Sequence, residues 1–421
     1  MAGKERNHEN KEREEIMRTK IGVQTLHGGS TWDDIINYYV ATKAPVYKTL
    51  EFPPDFLRIL RAACPDLIIV GRLYSQRWDE RLGDAKDWCD WAMDWVDGLQ
   101  SVVDVLEGPN ESHQSTSKLD NYAEFEAERT RLLNDHGFGS VVGNFSTGQP
   151  NIRDWHLFYP AIEAAIKYNG FLGLHEYSAP TADWMYGKNQ WNWTTNIPWD
   201  VHDSDCPDEG STGWLTFRYL KVLESLPSYL KNVKIIVTEC LIDGGIQPRP
   251  GLQGGGWKDF GDKYWHINQI AWYDRGIRND PNVVGATLFQ VSDPTYSEWE
   301  GFNVIDMLPE VQDYGAELVN PTEVDVQAND NSIQEGTVSQ SGKNMEWLLD
   351  NVAYNEVLHL VQGASLQEKI FSDGFSPTSN EFTEVDDDGT IYRVQYARDR
   401  HNFLRAYYAK WGEWDKAMYV F

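Results

Sequence analysis

The stretch Val102–Ser112, VVDVLEGPNES, decides how the rest of the chain is read. It opens as an apolar, β-branched run and ends in Asn110-Glu111. β-Branched side chains suit a pleated, buried surface, and an unbroken apolar run marks a strand covered on both faces, as parallel strands are. A buried strand that runs out into Asn-Glu fits the C-terminal end of a (β/α)8 barrel strand, where such barrels keep their chemistry. A second stretch, Lys234–Cys240 (KIIVTEC), has the same form and carries its carboxylate at Glu239.

Working outward, apolar runs occur at Ile21–His27, Ala44–Leu50, Leu67–Tyr74, Val102–Leu106, Ser140–Phe145, Phe171–Tyr177, Lys234–Glu239 and Val283–Val291. Between them lie helix-like stretches: Pro54–Ala63, Asp84–Leu99, Tyr122–His136, Asp154–Tyr168, Leu215–Leu230 and Tyr264–Asn279. Strand–helix alternation implies a parallel sheet covered by helices. Eight repeats suit closure into a TIM barrel. The competing open, doubly wound sheet needs a glycine-rich first turn, and His27-Gly28-Gly29-Ser30 is not G-x-G-x-x-G. The fold class is therefore α/β, a (β/α)8 barrel with a small C-terminal α+β module.

The expected division is a charged lead-in over residues 1–20, the barrel over 21–318, a polar linker or irregular excursion over 319–343 and the module over 344–421. Within the module Asn344–Gln362 reads as a helix, and Glu381–Phe421 alternates in strand fashion around the hairpin dipeptide Asp388-Gly389.

The length of 421 residues holds a barrel of about 250 residues and an appendage. The 41% apolar content supports a packed core. A net charge of −28 repels nucleic acid and anionic membranes, so neither is an expected partner. No apolar run approaches the roughly 20 residues that cross a bilayer. The four cysteines include no C-x-x-C pair and no zinc-finger spacing. The charged first 20 residues lack the apolar segment of a secretory signal, which leaves the location open, with the cytoplasm and release by a non-classical route both admitted. H-E-x-x-H, G-x-x-x-x-G-K-[ST] and G-x-S-x-G are absent. No metal or cofactor is expected, and the oligomeric state is open.

Two carboxylates at different strand ends are the minimum equipment for hydrolysing a glycosidic bond. One protonates the leaving oxygen while the other attacks, or activates water, on the opposite ring face. Their protonation must differ at one pH. Glu111 follows Asn110, whose amide suits a sugar hydroxyl. Strand alternation groups Ile235, Val237 and Glu239 on one face. In His175-Glu176-Tyr177 it sets His175 and Tyr177 together and turns Glu176 towards the helices. Tyr177 can then hydrogen-bond Glu239, and His175 can orient either carboxylate. A strand-end polar group taken singly reads as a capping contact; the set, on strands four, six and seven, reads as a site. The candidate sugar contacts also include His27, Arg72 and Asn144 at strand ends, Phe289 and Gln290 on strand eight, and Trp184, Trp191, Trp193 and Trp257 on two long loops, Ser178–Gly213 and Leu241–Gly261. Flat aromatic faces suit the C–H faces of sugar rings. By contrast, Trp88, Trp91 and Trp95 recur at helical spacing and read as core.

Asn-Glu ending strand four and Glu ending strand seven resemble glycoside hydrolase clan A, the retaining barrel enzymes. H-x-Y on strand six is similar to family 5 of that clan, and LEGPNE to the family 39 form of strand four. The resemblance covers residues 21–308. It implies hydrolysis of β-glycosidic bonds of a poly- or oligosaccharide by double displacement, with Glu111 as general acid/base and Glu239 as nucleophile. It also implies Asn110 as a ligand of the 2-hydroxyl and His175 and Tyr177 as supporting residues. Two features depart from the pattern. The clan ends strand eight with Trp, where this chain has Phe289-Gln290, and Arg72 ends strand three where the clan has an arginine near strand two. The first departure and the appended module motivate the alternative, a non-catalytic carbohydrate-binding or structural protein, of a surface or virion, on a barrel scaffold.

Overall fold

The computed structural model describes residues 18–25, 32–182, 215–245, 255–278, 280–292 and 297–319, and the strands 358–362, 375–377, 382–385, 391–399, 404–410 and 416–420. The chain separates into two compact units, one of residues 1–262 and 269–320, the other of residues 263–268 and 321–421.

The first unit is a closed barrel of eight parallel strands in sequential order. They are β1 (Ile21–Thr25), β2 (Val46–Thr49), β3 (Ile68–Gly71), β4 (Val105–Glu107), β5 (Gly139–Phe145), β6 (Phe171–Ser178), β7 (Ile235–Ile242) and β8 (Val283–Leu288). Each lies within or overlaps one of the eight apolar runs, and β8 pairs back onto β1. The helices described are α1 (Trp32–Thr42), α2 (Pro54–Ala63), α3 (Gln76–Glu80), α4 (Ala85–Val96), α5 (Thr116–Asp135), α6 (Tyr159–Lys167), α7 (Arg218–Ser225), α8 (Lys263–Arg278) and α9 (Leu308–Val319). The helix expected over Asp154–Tyr168 divides into a 3₁₀ segment, Ile152–Phe158, and α6. Pro160 explains the join: lacking an N–H, it is tolerated in a helix's first turn and not in its interior.

Side chains alternate across each strand, so alternate positions fill the barrel. Val46, Val70, Val105, Val141 and Ile236 meet in one buried layer. Two residues further along β2 and β4 stand Lys48 and Glu107, both buried. On β6 the position beside that layer is Gly173; a Cβ there would lie 2.2 Å from Asn144 Oδ1 and 2.7 Å from Val141 Cγ1. The space it leaves is used by Asn144, whose Oδ1 accepts from Thr238 on β7 at 3.2 Å.

Glu176 points out of the barrel, as the alternation requires. Its Oε2 accepts from Phe217 N–H at 2.7 Å and Tyr273 O–H at 2.8 Å, and its Oε1 from Tyr219 N–H at 3.0 Å. It thereby serves backbone donors at the start of α7 that have no partner within the helix. Burial nevertheless pushes its carboxyl up to about 7. A carboxyl raised in the fold stabilises it fully below its unfolded value of 4.5, and that stability is lost as pH rises through about 7. The advantage of the wild type over Glu176→Gln is therefore expected to shrink by about 3 kcal/mol between pH 4.5 and 8. Urea denaturation of both proteins across that range measures it; a gap constant with pH contradicts it.

The tryptophan stripe divides. Trp88 is buried with Ala85, Cys89, Ala92 and Val96 on the inner face of α4, whereas Trp95, expected in the core with it, is 62% exposed. Among the described residues Cys64, Cys89 and Cys240 are free thiols.

The second unit holds a six-stranded antiparallel sheet of β9 (Leu358–Gln362), β10 (Phe375–Pro377), β11 (Phe382–Val385), β12 (Ile391–Asp399), β13 (Leu404–Lys410) and β14 (Lys416–Val420), in the order β10-β12-β13-β14-β9 with β11 also on β12. β11 and β12 pair from Phe382↔Val394 to Val385↔Ile391 across the segment with Asp388-Gly389, as a hairpin would. The helix expected over Asn344–Gln362 is corrected at its end: Leu358–Gln362 is a strand, paired with β14. Partners some sixty residues away decide its state, and a local helical spacing does not register them. Residues 344–357 lie outside the described residues.

Candidate active site

Four side chains from three strand ends converge on Glu239. Its Oε1 accepts from Lys48 Nζ at 3.0 Å and Arg72 Nη1 at 3.1 Å. Its Oε2 accepts from Tyr177 O–H at 2.9 Å and lies 3.5 Å from His175 Nδ1. Burial pushes the Glu239 carboxyl up, but the charges of His175, Lys48 and Arg72 and the hydrogen bond from Lys48 outweigh it, holding the group well below the usual carboxylate range. Glu239 is thus kept ionised in a place where a lone carboxylate would be neutral.

Simple alternation does not deliver this orientation. It groups Glu239 with Ile235 and Val237, yet Ile236 is the residue that joins the interior layer. The register against β6 slips between Leu174↔Val237 and His175↔Glu239. One extra residue on β7 changes the parity and brings Glu239 into contact with the inward-facing lysine.

Glu111 sits four residues past the end of β4, at φ 47°, held by its N–H to the Asn144 carbonyl at 3.0 Å. Its side chain is 39% exposed, against 7% for that of Glu239. His175 lies between the two acids, with Nδ1 2.7 Å from Glu111 Oε1. One carboxylate oxygen of each acid and the imidazole lie within 4.8 Å of one another. The fourth and seventh strands therefore bring two carboxylates together, one sealed among cations and the other facing solvent.

The same three residues have the donor types of a metal site. A cation there would have to share Glu239 with Lys48 and Arg72, which already neutralise it, and the Nδ1 nearest the acids is the atom already bonded to Glu111. The arrangement fits hydrogen-bonded acids better than a metal cage.

The other expected contacts fall into place as follows. Asn110 donates its N–H to Asp79 at 2.9 Å, and its side-chain oxygen is buried without a protein partner. Arg72 touches Glu239 directly. Phe289 packs edge-on to Tyr177 with centroids 6.4 Å apart and to Trp299 at 5.4 Å, so an aromatic face from strand eight borders the site without the clan's tryptophan. Three expectations need correction. Asn144 is fully buried; its amide is spent on Val141 and Thr238, and its bearing on the site is the carbonyl that holds Glu111. Gln290 is fully buried, its amide 3.3 Å from Asn303. Trp257 is buried, with its indole N–H on the Phe302 carbonyl at 3.1 Å, and serves packing. His27, Trp184, Trp191 and Trp193 lie outside the described residues.

The sequence reading missed Lys48 and Glu107. Nζ of Lys48 is 3.1 Å from Glu107 Oε1 and donates to the Thr238 carbonyl at 3.1 Å. The available signal was parity: each stands two residues beyond a core valine on a buried strand, VYK and VLE. Asp243, past β7, was missed too; burial pushes it up to about 6, with Glu111 and Glu239 adding to the rise.

No protein-family model matches the chain, and no curated protein matches it. Solved structures that resemble it are β-glucanases and β-glucuronidases. A β-1,3-glucanase and allergen of Cryptomeria japonica pollen is 12% identical, with a TM-score of 0.42 over 68% of this chain and 95% of that one. A GH128 (subgroup II) endo-β-1,3-glucanase from Pseudomonas viridiflava is 13% identical, with a TM-score of 0.38 over 70% and 96%. A β-glucuronidase of an uncultured Clostridium species is 11% identical, with a TM-score of 0.41 over 71% of this chain and half of that one. Likeness at these values says nothing of substrate, and the functional reading rests on the site.

Proposed function

We propose that this chain is a retaining glycoside hydrolase of a β-linked poly- or oligosaccharide, with Glu239 as nucleophile and Glu111 as general acid/base. The observation that carries the reading is the pairing of a buried, cation-held carboxylate with a solvent-facing one, an oxygen of each lying within 4.8 Å of the other. Retaining enzymes set their carboxyl groups about 5–5.5 Å apart, and inverting ones about 6.5–9.5 Å to admit a water between them. The β configuration comes from the clan resemblance.

In the first step Oε2 of Glu239 attacks the anomeric carbon. Oε1 is the oxygen that Lys48 and Arg72 hold, whereas Oε2, among the described residues, accepts from Tyr177. As the C–O bond to the leaving sugar breaks, Glu111 delivers its proton to the departing oxygen, and a glycosyl ester with Glu239 forms. In the second step Glu111, now a carboxylate, takes a proton from water. The water oxygen bonds to the anomeric carbon and Glu239 leaves as carboxylate. His175, on Glu111 Oε1 and close to Glu239, fixes the spacing of the two. Phe289 beside Tyr177 offers a sugar face the aromatic surface that the missing tryptophan would supply, which favours the enzyme over the non-catalytic alternative.

The test is hydrolysis of a panel of plant, fungal and bacterial glycans by wild type and Glu239→Gln, with proton NMR of the first product formed. The expected product keeps the anomeric configuration of the substrate. An inverted product overturns the mechanism, and glycan binding without any release of reducing sugar favours the non-catalytic alternative.

A further inference from the structure

We propose that Glu107 is a positioning residue: buried inside the barrel, it holds part of the Lys48 ammonium and so limits how strongly that lysine draws on Glu239. The inference rests on the reading of Glu239 as nucleophile. Lys48 and Glu107 have fully buried side chains. The ammonium donates to Glu239 Oε1 at 3.0 Å and to Thr238 O at 3.1 Å, and Glu107 Oε1 stands 3.1 Å from it as an ion-pair partner. Among the described residues neither Glu107 oxygen accepts a hydrogen bond, so the ion pair with Lys48 is its tie to the site.

The charges explain why a second acid belongs there. Arg72 and Lys48 both grip Glu239 Oε1. Two undiluted cations would hold the carboxylate so firmly that giving up its charge to an ester becomes costly. Glu107 returns one negative charge to the cluster, leaving two acids against two bases. Among the described residues the other titratable groups around Glu239 include Glu111 beyond β4, His175 and Tyr177 on β6, Cys240 beside it on β7 and Asp243 after β7. Among the described residues β1, β5 and β8 contribute uncharged polar groups at this level: Gln24 in register with Lys48, Asn144 hydrogen-bonded to Thr238, and Thr287 on the Thr238 carbonyl.

The test is a set of three variants, Lys48→Met, Glu107→Gln and the two together, in full-length protein. The Glu239 carboxyl is followed by ¹³C NMR titration, its signal assigned by its loss in Glu239→Gln. Lys48→Met removes a cation at contact distance and is expected to raise the Glu239 midpoint by about 1–3 pH units. The double variant removes a charge of each sign and is expected to bring most of that rise back, whereas a Glu107 that only fills space leaves it in place. Glu107→Gln alone, near-isosteric, is expected to slow trapping by a 2-deoxy-2-fluoroglycoside and to speed release of the trapped sugar. Slowing of both steps alike overturns the proposal, as does a double variant that titrates like Lys48→Met. Should Lys48→Met fail to fold, the two rates in Glu107→Gln still decide it. Wild type that hydrolyses no glycan refutes the enzymatic reading while the titration still reports the coupling. Hydrolysis without the coupling refutes this inference alone.

Discussion

Glu239→Gln is expected to lower kcat/KM by at least about 10⁴-fold on any glycan that the wild type hydrolyses, a loss of about 5.5 kcal/mol of transition-state stabilisation. The amide is close in size and still accepts a hydrogen bond, but it cannot form the glycosyl ester. Removing a charge from a buried cluster has a structural cost, commonly about 3–5 kcal/mol when the partner is left alone. Here the loss is expected to be smaller, because Lys48 keeps Glu107 and Arg72 keeps some contact with solvent, with 11% of its side chain exposed. Thermal unfolding alongside kinetics separates the two effects. Glu239→Ala supplies a sharper reading: azide fills the space left by the side chain and attacks the sugar from the face the carboxylate used. An α-glycosyl azide from a β-glycoside is the expected product. Full activity of Glu239→Gln removes the proposal outright.

Glu111→Gln is expected to fail in a different way, because proton transfer matters in proportion to how badly the leaving group needs it. For an alkyl leaving group such as a second sugar the loss is expected to be about 10²–10⁴-fold. For a dinitrophenyl glycoside, whose leaving group departs unprotonated, the first step proceeds at close to the wild-type rate and the ester accumulates. A burst followed by slow turnover, with the alkaline limb of the pH profile gone, is the expected signature. The substitution keeps the backbone hydrogen bond to Asn144, so the loop beyond β4 stays in place. Equal losses on both kinds of substrate would instead assign Glu111 to binding and return the acid/base role to another group.

The barrel was legible because parallel strands covered on both faces carry few polar residues to blur them, so all eight apolar runs fall on strands. Hydrophobic spacing marked α2 at its observed bounds, Pro54–Ala63, where proline opens the helix and a cysteine follows its end. Glu111, His175, Tyr177 and Glu239 were legible as residue types at strand ends, and the structure brings them together. The face on which Glu239 lies was not, since a single bulge on β7 reverses an alternating pattern and leaves no mark in composition. Lys48 and Glu107 were passed over because a charge inside an apolar run looks like an interruption. Only the closed barrel shows that the two interruptions cancel each other. Asn144, Gln290 and Trp257 erred the opposite way: polarity or aromaticity near a strand end suggested a sugar contact, and burial gave each of them an internal partner. Leu358–Gln362 shows the remaining limit, a segment whose state is set by a distant strand.

The empty position at Gly173 has a consequence for tracing distant kin of this chain. Only a residue without a β-carbon lets Asn144 reach across β6 to Thr238, and it is Asn144 that anchors the turn presenting Glu111. A hydrogen atom in the sixth strand is thus part of what aims a carboxylate on the fourth. A signature built from the acids alone would overlook it, whereas one joining Gly173 and His175 to Asn144 would separate barrels that share this aiming device from those that share only the outline.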